Sequence, residues 1–139
     1  MLEINLNYKP HLKQIEAHQS PTLWTGFGGA ECGGKTKWAM YETLRMALKY
    51  PGIECLVCRY DYSDIVSPTQ AKDVFFKVCP TELYDPKEVY NSPPSWVRLL
   101  NGSRVTFMGL KDYNPSAEFG LIVVDQAEEV PEETLRLLR

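Results

Sequence analysis

Residues 26 to 40 read "GFGGAECGGKTKWAM": five glycines in nine positions, followed at once by lysine, threonine and helix formers. A glycine inside a helix or strand costs roughly 0.5–1 kcal/mol relative to alanine. Such a cluster belongs where a backbone bends sharply or comes close to another group. The flanks narrow the fold further. Residues 22–26, "TLWTG", form a short β run ahead of the glycines. From 35 to 50, Trp38, Tyr41, Leu44 and Leu48 recur at three- and four-residue steps, which places them along one face of a helix that Pro51-Gly52 stops. Strand, glycine loop and helix in that order admit few architectures.

The rest of the chain alternates in the same way. Residues 1–21 are a polar lead-in, and "IECLVCR" (53–59) is a short apolar run of the kind buried in a parallel sheet. "SPTQ" then predicts a helix start, with Ser67 as cap, Pro68 in the first helical position and Gln70 completing a capping box. That helix, "PTQAKDVFFKVC", ends against Pro80, and 80–95 reads as loop with "KEVYN" as its one short strand candidate. In "WVRLLNGSRVTFMG" two β-rich runs flank Asn101-Gly102, a pair suited to a two-residue type I′ turn. The polar linker "LKDYNPSAEFG" leads to "LIVVD" (121–125), a fully apolar strand ending on Asp125. "VPEETLRLLR" opens a last helix with Glu132 and Glu133 near its positive end. The expectation is a single α/β domain, 1–139, around a mostly parallel sheet with a β-hairpin insertion.

Composition excludes little but is consistent. With 44% hydrophobic and 24% charged residues, disorder is not expected. The net charge of −3 makes no electrostatic case for nucleic-acid binding, though a local basic surface is compatible with it. No apolar run approaches the roughly 20 residues that span a bilayer, and the N-terminus lacks a secretory core, so a cytoplasmic protein with no membrane partner is expected. Of the four cysteines, Cys55 and Cys58 make a C-x-x-C inside an apolar run, while Cys32 and Cys79 lie far off without paired spacing. Free, buried thiols fit better than a zinc site.

The glycines satisfy G-x-x-x-x-G-K-[ST] in full: Gly29, Ala30, Glu31, Cys32, Gly33, Gly34, Lys35, Thr36. A loop of this form wraps its N–H groups around phosphate oxygens, and the helix that follows adds its positive end. Lys35 would reach the β- and γ-phosphates of ATP, and the Thr36 hydroxyl would coordinate Mg²⁺. Side chains in place of the glycines would block that approach. A second Mg²⁺ anchor, an acid at the end of a neighbouring strand, is also needed, and Asp125 fits. The alternative is an ordinary strand whose last residue caps the next helix. Hydrolysis needs a further group to activate water. Glu128 is the candidate acid, with Gln126 polarising or positioning the same water; alternatively, the acids here only favour the start of the final helix. Gln14 can pair with adenine in bidentate fashion, or is a surface residue. His18 reads as structural. Arg59 suits a phosphate contact or a subunit link, and equally a solvated strand end.

Taken in order, "KQIEAH", "GGAECGGKT", "LVCRYDYSDI", "NGSRVTFMGLKD" and "EFGLIVVDQAEEVPEE" resemble the N-terminal ATPase domain of bacteriophage terminase large subunits, the motors that drive DNA into preformed capsids. The resemblance spans nearly the whole chain. It implies a three-layer, RecA-like P-loop NTPase core, with an additional strand between those bearing the two nucleotide motifs. It also implies ATP and Mg²⁺ as cofactors, a homo-oligomeric ring on a portal, a small-subunit partner, and double-stranded DNA as the translocated substrate. Carried over, residues 29–36 form the phosphate loop, Asp125 is the magnesium acid and Gln14 the adenine contact. Two departures stand out: many members carry a basic residue where this loop reads Ala30-Glu31-Cys32, and Gln126 stands where Glu is common. The family continues beyond this point with a coupling motif and a nuclease domain, so the expectation is a C-terminally truncated ATPase region that cleaves nothing. The rivals are another motor ATPase such as a helicase, a non-catalytic nucleotide-binding module and, last, a small-molecule kinase.

Overall fold

The computed structural model describes residues 34–113 and 118–138. The expected strand at 22–26, the loop residues Gly29, Ala30, Glu31, Cys32 and Gly33, and Gln14 and His18 lie outside the described residues.

Helix α1 (Lys35–Lys49) begins where Gly34 turns the chain with a left-handed φ of 72°, and the Gly34 carbonyl accepts the Trp38 N–H at 2.9 Å. Its buried stripe is rotated from the one the sequence suggests. Met40, Thr43, Leu44 and Ala47 are fully buried, and Trp38, Tyr41 and Leu48 pack against the core from the flanks. Small residues at 43 and 47 let the helix lie close to the sheet, which the larger aromatics do not. The buried Thr43 hydroxyl is satisfied within the helix by the Ala39 carbonyl at 2.8 Å.

Strand β1 (Glu54–Arg59) follows the Pro51-Gly52 turn, and its central residues Cys55, Leu56, Val57 and Cys58 are fully buried. Alternation sends Cys55 and Val57 into the core under α1, and Leu56 and Cys58 into a second cluster with Leu110, Val130 and Leu138 on the opposite face. Two helices follow where one was expected: α2 (Tyr62–Val66) and α3 (Ala71–Val78). The capping box at Ser67 does not form. Ser67 ends α2, its hydroxyl donating to the Ser63 carbonyl at 2.5 Å. Residues 67–70 then make a turn closed by Gln70 N–H on the Ser67 carbonyl at 3.1 Å, with Thr69 left-handed at φ 67°. Proline suits the second position of such a turn as well as a helix start, and here the turn wins. Helix α3 is fixed to the sheet by Phe75, whose ring meets Phe107 edge-on at 5.7 Å.

The short strand candidate "KEVYN" overlaps a longer strand, β2 (Tyr84–Tyr90), followed by β3 (Ser95–Leu99), β4 (Arg104–Gly109), β5 (Leu121–Val124) and the short helix α4 (Glu132–Arg136). The sheet order is β2-β3-β4-β1-β5. β4 and β5 pair parallel with β1, while β2–β3 and β3–β4 pair antiparallel. Among the described residues the fold is therefore α/β with a five-stranded mixed sheet, partly parallel. The first half of β2 escapes a sequence reading because Asp85 and Pro86 look like loop. As an edge strand it tolerates the missing proline N–H, and its pairing with β3 shifts register between Tyr84 and Val89.

The hairpin is where the sequence places it, but its turn is of another type. Leu99 N–H bonds the Ser103 carbonyl at 2.7 Å, and Gly102 N–H bonds Leu99 at 3.0 Å. Gly102 is left-handed at φ 88° while Asn101 is not, so the loop is three residues closed by a glycine bulge instead of a type I′ pair. The change frees the Asn101 side chain, whose Nδ2 donates to the Ala47 carbonyl at 2.8 Å. Ser103 Oγ donates to the same carbonyl at 2.7 Å. The hairpin thus caps the C-terminus of α1, satisfying carbonyls that no further helical turn could reach.

Gly109 ends β4 against α2, and a Cβ there would sit 2.6 Å from the Tyr62 backbone nitrogen. Because the obstacle is backbone, Gly109→Ala is expected to lower unfolding free energy by about 1–3 kcal/mol, read as a reduced urea midpoint with an unchanged slope.

Candidate functional site

Three parallel strands put three carboxyl ends on one edge of the sheet: Arg59 of β1, Gly109 of β4, and Val124 of β5 with Asp125 beyond it. Helix α1 runs the other way. Its last carbonyls meet the hairpin turn at the opposite edge, and about 22 Å of helix at 1.5 Å per residue bring its first turn back to the carboxyl edge. In open α/β sheets this edge is where ligands bind. Strand ends, a helix N-terminus and the glycine that starts it therefore converge.

Asp125 is held there by backbone. Its N–H donates to the Cys58 carbonyl at 2.8 Å, extending the β5 ladder by one residue. The chain then turns at Gln126, which is left-handed at φ 54°, ψ 55°, into a single 3₁₀ turn, Ala127–Glu129. The Asp125 carboxyl faces Thr36 in the first turn of α1, and its buried Oδ2 has no hydrogen-bond partner among the described residues. Burial pushes the Asp125 carboxyl above the usual carboxylate range. The Arg59 guanidinium pulls it back, the Glu129 carboxylate raises it, and the hydrogen bonds from Thr36 and the Gln126 backbone lower it again. A half-buried carboxylate beside a hydroxyl, with one oxygen left over, is the donor set a hard divalent cation takes. The residues present fit Mg²⁺ coordination.

Arg59 closes one side of this edge. Its Nη2 and Nε donate to the two carboxylate oxygens of Glu129 at 2.7 and 3.3 Å, and its Nη1 donates to Gln70 Oε1 at 3.0 Å. A solvated strand end does not describe it, because the Arg59 side chain is only 15% exposed. Glu128, one residue before, is exposed, and Gln126 is half-buried. The structure thus brings together Thr36, Asp125, Gln126 and Arg59, with Gly34 and Lys35 at the start of the same helix. Sequence reasoning missed Glu129 and Gln70 as partners of Arg59. They stand 70 and 11 residues from it, and no local pattern joins them.

The cysteines make no metal site among the described residues, where no group of three or more His, Cys, Asp or Glu is placed to hold one. Cys55 and Cys58 face opposite sides of the sheet, and burial pushes the Cys55, Cys58 and Cys79 thiols up to about 12. They are packing residues. Nor is any described helix long and apolar enough to cross a membrane. No protein-family model, curated protein or solved structure matches the chain.

Because the folded Asp125 carboxyl holds its proton more tightly than an unfolded one, its charge destabilises the fold above that raised pKa, and the penalty disappears as pH falls through it. Asp125→Asn is therefore expected to raise the thermal midpoint of the ligand-free chain at pH 7 by a few degrees and to flatten its dependence on mildly acidic pH. Calorimetry across pH 4–8 reads both effects; a lower midpoint at pH 7 contradicts them.

Proposed function

We propose that this chain binds the polyphosphate of ATP at the N-terminus of α1, with Mg²⁺ between Thr36 and Asp125. We further propose that it works as the RecA-like ATPase motor domain of a phage DNA-packaging terminase large subunit. The observation that carries the nucleotide reading is the meeting of Thr36 and Asp125. The residue that ends G-x-x-x-x-G-K-[ST] and the acid that ends an apolar strand, far apart in sequence, face each other at the carboxyl edge of the sheet. The order of motifs from "KQIEAH" to "VDQAEEVPEE" supports the terminase part, and with it a homo-oligomeric ring, a portal and small-subunit partner, and double-stranded DNA as cargo.

In this reading Gly34 and the start of α1 present backbone N–H groups to phosphate oxygens, and the left-handed Gly34 lets the chain enter the helix without a Cβ in the way. Lys35 supplies positive charge to the terminal phosphates. When bound there, Mg²⁺ would supply positive charge to the phosphates. Asp125 and Thr36 would hold the cation between them. The arrangement favours Glu128 over Glu129 for orienting the attacking water, because the Glu129 carboxylate is taken by both arms of Arg59. Gln126, at the left-handed turn beside Asp125, offers a neutral amide to the same water.

Two substitutions separate binding from chemistry. Lys35→Ala removes a charge-assisted contact and is expected to weaken Mg²⁺–ATP binding about tenfold or more by titration calorimetry. Glu128→Gln is expected to leave affinity in place and lower turnover by about 10²–10⁴ in the assembled motor. Equal affinity in Lys35→Ala contradicts the phosphate site. Near-normal turnover in Glu128→Gln removes that residue from the mechanism, and binding with no turnover in any context favours a non-catalytic module.

A further inference from the structure

Among the described residues, two that are not glycine adopt left-handed backbone: Thr69 at φ 67° and Gln126 at φ 54°. Neither type favours that conformation, and a β-branched threonine resists it most. Such residues persist only where their surroundings over-determine them. The two strained turns have one thing in common. Thr69 immediately precedes Gln70, and Gln126 opens the 3₁₀ turn that ends in Glu129, and both Gln70 and Glu129 are held by the same side chain, Arg59. The 3₁₀ turn is further closed by Glu129 N–H on the Gln126 carbonyl at 3.0 Å, which ties the backbones of the two residues together. Gln126 in turn is bonded directly to Asp125.

We propose that Arg59 is a positioning residue: by gripping Glu129 with two arms and Gln70 with a third nitrogen, it fixes the left-handed turn at Gln126 and thereby aims the Asp125 carboxylate at Thr36. The inference rests on the nucleotide reading above and adds a residue that touches neither phosphate nor metal. The planar fork matters as much as the charge. A carboxylate held by two nitrogens of one guanidinium has a fixed direction as well as a fixed distance, and an ammonium cannot reproduce it. Shielding helps, since the Arg59 side chain is 15% exposed and its partner Glu129 36%. Gln70 keeps the guanidinium plane from swinging outward, and it is itself set by the 67–70 turn at the start of α3. The orientation of the metal acid is thus inherited from a turn on a different element, through one arginine.

The test compares wild type with Arg59→Lys, Arg59→Gln and Glu129→Gln in the full chain, using a fluorescent ATP analogue titrated with Mg²⁺ and again in EDTA. The ratio of the two affinities isolates the metal-dependent part. In Arg59→Lys and Arg59→Gln this ratio is expected to fall about tenfold, as supporting residues around a metal commonly show, with the affinity in EDTA unchanged. Glu129→Gln, combined with Arg59→Gln, is expected to add nothing further. Failure of Arg59→Lys to rescue assigns the effect to the fork. An unchanged ratio, or an equal loss with and without Mg²⁺, overturns the proposal, the second by reducing Arg59 to a stabilising ion pair. A wild-type chain with no Mg²⁺-dependent binding sinks the nucleotide reading instead. Amide exchange over 126–130 in the ligand-free chain then decides the rest: faster exchange in Arg59→Lys with α1 unaffected supports the clamp, and unchanged protection overturns it.

Discussion

The parallel pairing of β1 with both β4 and β5 is the constraint on which the site depends. β1 can sit between two strands because both its faces are apolar, with Cys55 and Val57 on one side and Leu56 and Cys58 on the other, all fully buried. Parallel registry then forces every carboxyl end to the same edge. The hairpin side chains of Asn101 and Ser103 hold α1 by its far end and leave its N-terminus at that edge. Had β5 paired antiparallel, Asp125 would lie at the opposite edge, near the hairpin turn and a helix length away from Thr36.

Stability and chemistry pull in different directions here. The core under α1 is closed by large side chains in ordinary positions, with Phe75, Phe107, Met40 and Leu44 fully buried. At the carboxyl edge the local rules break together: a carboxylate raised by burial, a buried Oδ2 with no partner among the described residues, and a glutamine in left-handed backbone, all within two consecutive residues. Each is a cost that packing alone does not require. Local violations concentrated at one edge of an otherwise consistent fold are where function is expected to reside.

Much of this was legible beforehand, and the misses have identifiable causes. Helix α1 and the strand ending on Asp125 follow from periodicity and from an apolar run with a polar end, signals that are local and strong. The hairpin was legible, but its turn was not, since Asn-Gly serves both a two-residue turn and a bulge; side-chain bonds from Asn101 and Ser103 to α1 decide between them. Only the second half of β2 was legible as strand, because Pro86 and Asp85 before it are typical loop residues that an edge strand tolerates. The helix expected from Ser67 forms but starts only at Ala71, because Pro68 serves a turn equally well and Thr69 adopts a conformation that no propensity favours. Thr36 and Asp125 could be paired on chemical grounds, whereas the grip of Arg59 on Glu129 and Gln70 exists only once three elements have packed.

The most direct measurement is a structure of the full chain with Mg²⁺ and a non-hydrolysable ATP analogue. The account predicts polyphosphate density against the first turn of α1 and a cation ligated by Thr36 Oγ1, with the Asp125 carboxylate turned to the same ion. A nucleotide bound at any other edge of the sheet, or a cation that engages neither residue, would contradict it.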